Sequence, residues 1–157
     1  MANETITQVE DAIVTALNLS PIGPVGGGGY ARIVDSYQGE LEDEDLSRVL
    51  KLFPAVLVVY DSSRYTKSAK GVYDETMRFL VVVASRNLRG EKAQRRGDVE
   101  MTGTYQMLRD IRGLIANKSL GLDVGPPEPV AERFVINTRD ASIYEATYEI
   151  SVDFTPV

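Results

Sequence analysis

Apolar residues recur at spacings of three and four along residues 4–19, as Ile6, Val9, Ile13 and Leu17, with Ala12 and Ala16 beside them. That period predicts an amphipathic helix, capped by Asn3 or Thr5, with Glu10 and Asp11 on its wet side. Pro21 ends it, because proline cannot continue the hydrogen-bond ladder. The same period returns in Leu46, Val49, Leu50 and Phe53, behind a run of acids that suits the first turn of a short helix over 39–53. Met101, Tyr105, Leu108, Ile111 and Ile115 predict a second long helix over 102–117.

Other stretches follow a strand pattern. Residues 53–60 and 77–85 are unbroken apolar runs rich in β-branched side chains, which predict central strands covered on both faces. Residues 30–37 and 131–138 read as shorter strands. Residues 144–154 alternate strictly: Tyr144, Ala146, Tyr148, Ile150, Val152 and Phe154 share one face, while Glu145, Thr147, Glu149, Ser151 and Asp153 share the other. That is a strand with one face in water. Residues 61–75 are polar and carry Arg64, Lys67 and Lys70, so they read as an extended loop or arm. Tyr60, Tyr65 and Tyr73 flank it, placed either to anchor a partner protein or to pack the base of the loop.

The order α-β-α-β-β-α-β-β predicts a single α+β domain. Its sheet is expected to be mixed or largely antiparallel, with four to five strands packed by two long helices and one short helix. Residues 1–20 form the N-terminal helix, and the Gly/Pro-rich stretch 21–29 is expected to be a hinge or linker. Strands apolar on both sides need cover on both sides. Either the helices divide between the faces, or another subunit covers one of them.

Composition narrows the chemistry. The 157 residues are 43% apolar and 25% charged, with no cysteine and no histidine. A mean hydropathy of −0.14 places the chain among globular domains. Without those two residues there are no thiolate nucleophiles, disulfides or cysteine zinc sites, and the commonest general base and pH switch are missing. The sequence contains no serine-hydrolase elbow, zincin helix, phosphate loop or kinase signature, so the expectation is a non-enzyme with no cofactor and no metal. The glycines at 26–29 are followed by Tyr30-Ala31-Arg32 rather than Gly-Lys-Ser/Thr, which argues against a phosphate cradle. The acids at 40–45 lack the alternating ligands of a calcium loop. No apolar run is long enough to span a membrane, and the first fourteen residues do not resemble a secretory leader.

Charge is divided unevenly. The chain carries a net charge of −6, which opposes general affinity for nucleic acid. Yet Arg86, Arg89, Lys92, Arg95 and Arg96 crowd one stretch directly after an apolar strand, while Glu40, Glu42, Asp43, Glu44 and Asp45 crowd another. The basic stretch lacks the interleaved aromatics of a nucleic-acid site and the companion base of a catalytic clamp. Two readings of it stand: a solvated loop, or a surface that docks on the acidic run of a neighbouring copy. Unlike surfaces on one subunit favour head-to-tail assembly, which closes into a ring when the rotation permits.

Three stretches carry a resemblance: "LFPAVLVVYDSSRY" at 52–65, "RFLVVVASRNLRGEKAQRRGD" at 78–98 and "GTYQMLRDIRGLIANKSLGLDVGPPEPV" at 103–130. Together they resemble the Mu-like bacteriophage family of small tail proteins. Asn87-Leu88-Arg89-Gly90 and Arg95-Arg96-Gly97 are its most specific words, and the likeness covers roughly residues 36–157. The resemblance implies a tail terminator, or tail completion protein, assembled as a hexameric ring. Such a ring would cap the tail tube of a long-tailed, contractile phage, end its polymerisation and offer the head-joining surface. It implies tube, sheath and neck proteins as partners, DNA passing through without specific binding, and a place in the virion tail after assembly in the host cytoplasm. Alternatives are a DNA contact through 86–96, or a monomeric adaptor. Arg64, Tyr65, Lys67 and Lys70 become arm contacts in the ring reading, and the two charge blocks become interface.

Overall fold

The computed structural model describes residues 5–23, 28–37, 52–86, 91–97, 103–137 and 141–154. Helix α1 (Ile6–Leu17) begins at a reciprocal cap. The Thr5 hydroxyl accepts the Gln8 N–H at 3.1 Å, and the Gln8 side chain accepts the Thr5 N–H at 2.7 Å. Its buried stripe is Val9, Ile13 and Leu17. Each such side chain contributes roughly 1.5–3 kcal/mol when fully buried.

After α1 the chain doubles back. Tyr30 N–H donates to the Pro21 carbonyl at 3.2 Å and Ala31 N–H to the Ile22 carbonyl at 2.7 Å, so the two ends of the Gly/Pro-rich stretch are tied together. Five strands then form one mixed sheet in the order β1-β2-β3-β5-β4. β1 (Ile33–Ser36) lies parallel to β2 (Ala55–Ala69), and all other pairs are antiparallel: β2 with β3 (Val72–Arg86), β3 with β5 (Ala141–Phe154), and β5 with β4 (Glu128–Asn137). The six-residue helix α2 (Glu91–Arg96) and helix α3 (Thr104–Ile115) stand between β3 and β4 in sequence.

Alternation along each strand sorts the core. Val56, Val58, Met77, Phe79, Val81, Val83, Ala146, Tyr148 and Ile150 face α1 and the α3 residues Met107, Ile111 and Ile115 in one continuous cluster. Both helices therefore cover the same face. The opposite face holds a smaller cluster of Phe53, Ala55, Leu57, Ala84 and Ala141, with Tyr37, Val82 and Ile143 against it. It lies at the end where β2 begins and β3 stops.

Two expectations need correction. The complement of two long helices and one short one does not hold. Two 12-residue helices, α1 and α3, cover the sheet, and among the described residues the strands hold about twice as many residues as the helices. The short helix expected over 39–53 falls mostly outside the described residues; the one further helical stretch among them is α2, in the basic segment read as loop. Residues 61–75 are likewise no loop. They are the outer halves of β2 and β3, joined by a tight turn at Lys70-Gly71. Gly71 takes φ +76, a left-handed conformation that costs glycine little and other residues more. Polar residues fill this part of the hairpin because it projects past the helices, and the alternation that marks a strand disappears with the core that imposes it.

Candidate functional site

Three surfaces bear chemistry that a partner can read: the projecting hairpin, the basic end of the sheet and the edge strand β4. The hairpin is held by two polar sets on opposite faces. On the helix side Tyr60 donates to the Ser63 hydroxyl at 2.7 Å, and Ser63 donates to Glu75 Oε2 at 2.7 Å. Tyr65 donates to the same oxygen at 3.2 Å. Glu75 is only 6% exposed, so these hydroxyls replace the water it loses. Loss of solvent, and then the neighbouring Glu75 carboxylate, push the Tyr65 phenol up from its ordinary value. On the other face Glu149 bridges Arg64 at 2.5 Å and Arg78 at 3.6 Å. The hydrogen bond from Arg64 holds its carboxyl below the usual range.

Of the expected arm contacts, Arg64 thus serves the chain's own sheet, and Tyr65 exposes its ring while its hydroxyl is engaged. Lys67 and Lys70 stand exposed at the tip. Beneath the hairpin lies a groove of about 600 Å³ lined by Asp74, Asp123 and Asp153 with the hydroxyls of Thr66, Thr76 and Ser151. No cluster of acidic side chains among the described residues is arranged to hold a metal ion.

The basic end lies at the other extremity of β3. Fifteen residues separate it from the turn, about 45–50 Å of strand, so the arm and basic residues do not form one site. Arg86 closes β3, while α2 presents Lys92 and Arg96 to solvent. Arg95 is half-buried, close enough to Tyr144 to counter the rise that burial and Tyr105 impose on that phenol. Helix α2 is seated by Gly103, where a Cβ would strike the backbone of Arg95, Arg96 and Gly97. Arg89, and the acids Glu40, Glu42, Asp43, Glu44 and Asp45, lie outside the described residues.

The third surface escaped the sequence reading. β4 is an outer strand with exposed residues on both faces, and Val130, Phe134, Val135 and Ile136 are each 46–53% exposed. Phe134 meets Tyr144 edge-on at 5.6 Å, and Tyr144 meets the half-exposed Tyr105 at 5.9 Å. Register shifts leave Val130 and Val135 without a partner on β5, as bulges. The one available signal was the run Phe134-Val135-Ile136, which breaks alternation at a place with no helix left to cover it.

The comparison with known families decides the chain's kinship. A family model described as bacteriophage Mu, Gp37 matches residues 5–153. The chain belongs to the bacteriophage Mu Gp37 family. The match takes in α1 and the glycine run, which the resemblance over 36–157 had left unassigned. Membership in the Mu Gp37 family makes this a phage structural protein of the Mu-like small tail protein group, associated with the virion. No curated protein matches the sequence.

Proposed function

We propose that this Mu Gp37 family member is the tail terminator, a ring of copies that caps the tail tube, ends its polymerisation and offers the surface for head joining. The observation that carries this reading is the cluster of half-exposed apolar side chains on edge strand β4, Val130, Phe134, Val135 and Ile136, which no other described element covers, on a chain from a phage structural family. Glu128, Pro129, Glu132 and Arg133 blunt the first part of this edge as natural edges are blunted, whereas the exposed run Phe134-Val135-Ile136 is an apolar patch that suits a partner. The ring is a hexamer whose role is mechanical rather than catalytic. It needs no cofactor and touches the tube protein below and the sheath and neck proteins around it.

Charge supports the same reading. Arg86, Lys92, Arg95 and Arg96 at one end of the sheet supply a basic docking surface for the acidic run 40–45 of a neighbouring copy. Six copies carry about −36 in total, and acid lining the lumen repels phosphate, so the genome passes without sticking. The protein then stands in the virion tail, having assembled in the host cytoplasm.

The test is tube polymerisation. Tube protein of the same tail is polymerised with and without this chain, and tube length and end structure are read by electron microscopy. Shorter tubes bearing a ring-shaped cap are expected. Tubes of unchanged length with bare ends overturn the proposal.

A further inference from the structure

Among the described elements, the two long helices leave one strand uncovered. α1 packs over β1 and β2, and α3 over β3 and β5. β4 lies beyond α3, and every residue from 128 to 136 is exposed. The result is a shelf on the helix side of the sheet. Its floor is β4, where Glu132 and Phe134 share the helix side with their β5 partners Ala146 and Tyr144. Its wall is one stripe of α3. Tyr105 on that stripe meets Tyr144, Arg112 pairs with Glu132 at 3.3 Å, and the exposed Arg109 stands between them at helical spacing. Helix α2 closes one end, with Arg95 near Tyr144 and with Lys92 and Arg96 exposed.

The shelf therefore joins the basic end of the molecule to the apolar patch of β4. Lys92, Arg95, Arg96, Arg109 and Arg112 stand around the rings of Tyr105 and Phe134, which are 46% and 53% exposed. Glu132 on the floor is already engaged by Arg112. We infer that this shelf is one docking site for residues 40–46 of a second copy; this rests on the ring reading above.

The chemistry of that run matches both halves of the shelf. Leu41 sits between Glu40 and Glu42, and Leu46 follows Asp43, Glu44 and Asp45. Acids facing the cations set orientation and speed the encounter, while leucines against the two rings supply the buried contact. Position favours another copy's run over the chain's own. Tyr37 and Leu52, the described residues that bracket it, pack on the opposite face of the sheet beside β1 and β2. β1 and β4 are opposite margins, four strand spacings or ~19 Å apart. Unlike surfaces on one subunit then join head to tail, as a ring requires. Nucleic acid suits the shelf less well, because Glu132 on its floor and the net charge of −6 oppose phosphate.

A chain without cysteine makes the test direct. Phe134→Cys is mixed with a separate preparation of Leu41→Cys or Leu46→Cys, one of them tagged so that mixed and like pairs separate on a non-reducing gel. Far-UV circular dichroism checks that each variant folds, and light scattering follows the unsubstituted chain. Mild oxidation should give a mixed dimer for at least one pair, and adding Arg109→Glu to the Phe134→Cys chain should slow it about tenfold. Leu19→Cys, an exposed position just past α1, should give none with Leu41→Cys. An oligomer that forms without a mixed dimer, or a Leu19→Cys pair that links as fast, overturns the docking and leaves the ring intact. A mixed dimer from a chain that forms no closed oligomer, or that leaves tube ends bare, keeps the docking and removes the capping ring. Neither oligomer nor mixed dimer, with or without tube protein, removes both. A single-stranded oligonucleotide that binds the parent chain but not Arg109→Glu, with no mixed dimer, assigns the shelf to nucleic acid and overturns the docking.

Discussion

Tyr148 offers a measurement whose sign follows from the structure alone. It is 1% exposed in the centre of the sheet, and its hydroxyl has no hydrogen-bond partner among the described residues. A hydroxyl buried unpaired costs about 1–3 kcal/mol of lost hydration. Tyr148→Phe keeps the ring and deletes that group, so it should stabilise the fold by about 1–2 kcal/mol, where most core changes destabilise. In thermal melts followed by circular dichroism this is a rise in Tm of about 2–8 °C for a domain of this size. Burial first, and Glu132 second, with Arg112 opposing, push the Tyr148 phenol up to about 12. The unfolded phenol, near 10, ionises before the folded one, so this contribution is complete below pH 10 and declines as pH rises towards 12. The variant lacks the group, and its advantage over the parent should widen by about 1.4 kcal/mol between pH 8 and pH 11. A variant less stable than the parent by 1 kcal/mol or more at pH 7 would show that the hydroxyl is satisfied, and would sink the reasoning.

Gly103→Ala should displace α2 from the start of α3 and destabilise the domain by about 1–3 kcal/mol through overpacking, read by urea melts; a change within 0.5 kcal/mol would mean that α2 is not seated there. Reversing Arg95 and Arg96 to glutamate should abolish ring assembly in light scattering while leaving the circular dichroism spectrum unchanged, and normal assembly would remove the basic end from the interface. Glu149→Gln should reduce the domain's sensitivity to acid: its folded carboxyl titrates below 4.5, so its contribution is complete above that value and fades as pH falls through the lowered one. Equal acid midpoints for variant and parent, in fluorescence-monitored titrations, would exclude it. Tyr30→Phe should cost about 1 kcal/mol, because Tyr30 donates to Asp110 on α3 at 2.8 Å and so ties the entry of the sheet to that helix; an unchanged urea midpoint would count against that tie.

What the sequence made legible follows the core closely. The period of α1 and α3 and the alternation of β5 reflect residues that must choose between water and one packed face, and those elements fall within a few residues of expectation. Residues 61–69 and 72–74 face no such choice. Their strand character comes from pairing with β3 and β5, a tertiary fact that polar composition conceals. The basic residues 92–96 looked like loop because six residues are too few to display a helical period. The edge β4 was hidden for the opposite reason: Phe134, Val135 and Ile136 look like core, and nothing local records that the sheet ends there. Of the candidate site, charges were visible as blocks, but the burial of Glu75 and the capture of Arg64 by Glu149 depend on register over 10 and 85 positions of chain.

The long β2–β3 hairpin also has a kinetic consequence. β2 and β3 are joined by a two-residue turn, so every rung between them closes a short loop of chain and can zip within microseconds. β5 must then find β3 across spans that run from 55 residues, at Arg86↔Ala141, to 81, at Tyr73↔Phe154. Closure entropy falls on this second step, which makes the docking of β5 the natural barrier to folding. Before it docks, β3 presents a bare apolar edge in the middle of what will become the sheet. A nascent chain is most exposed to aggregation in that interval, after its first hairpin exists and before its last strand has emerged.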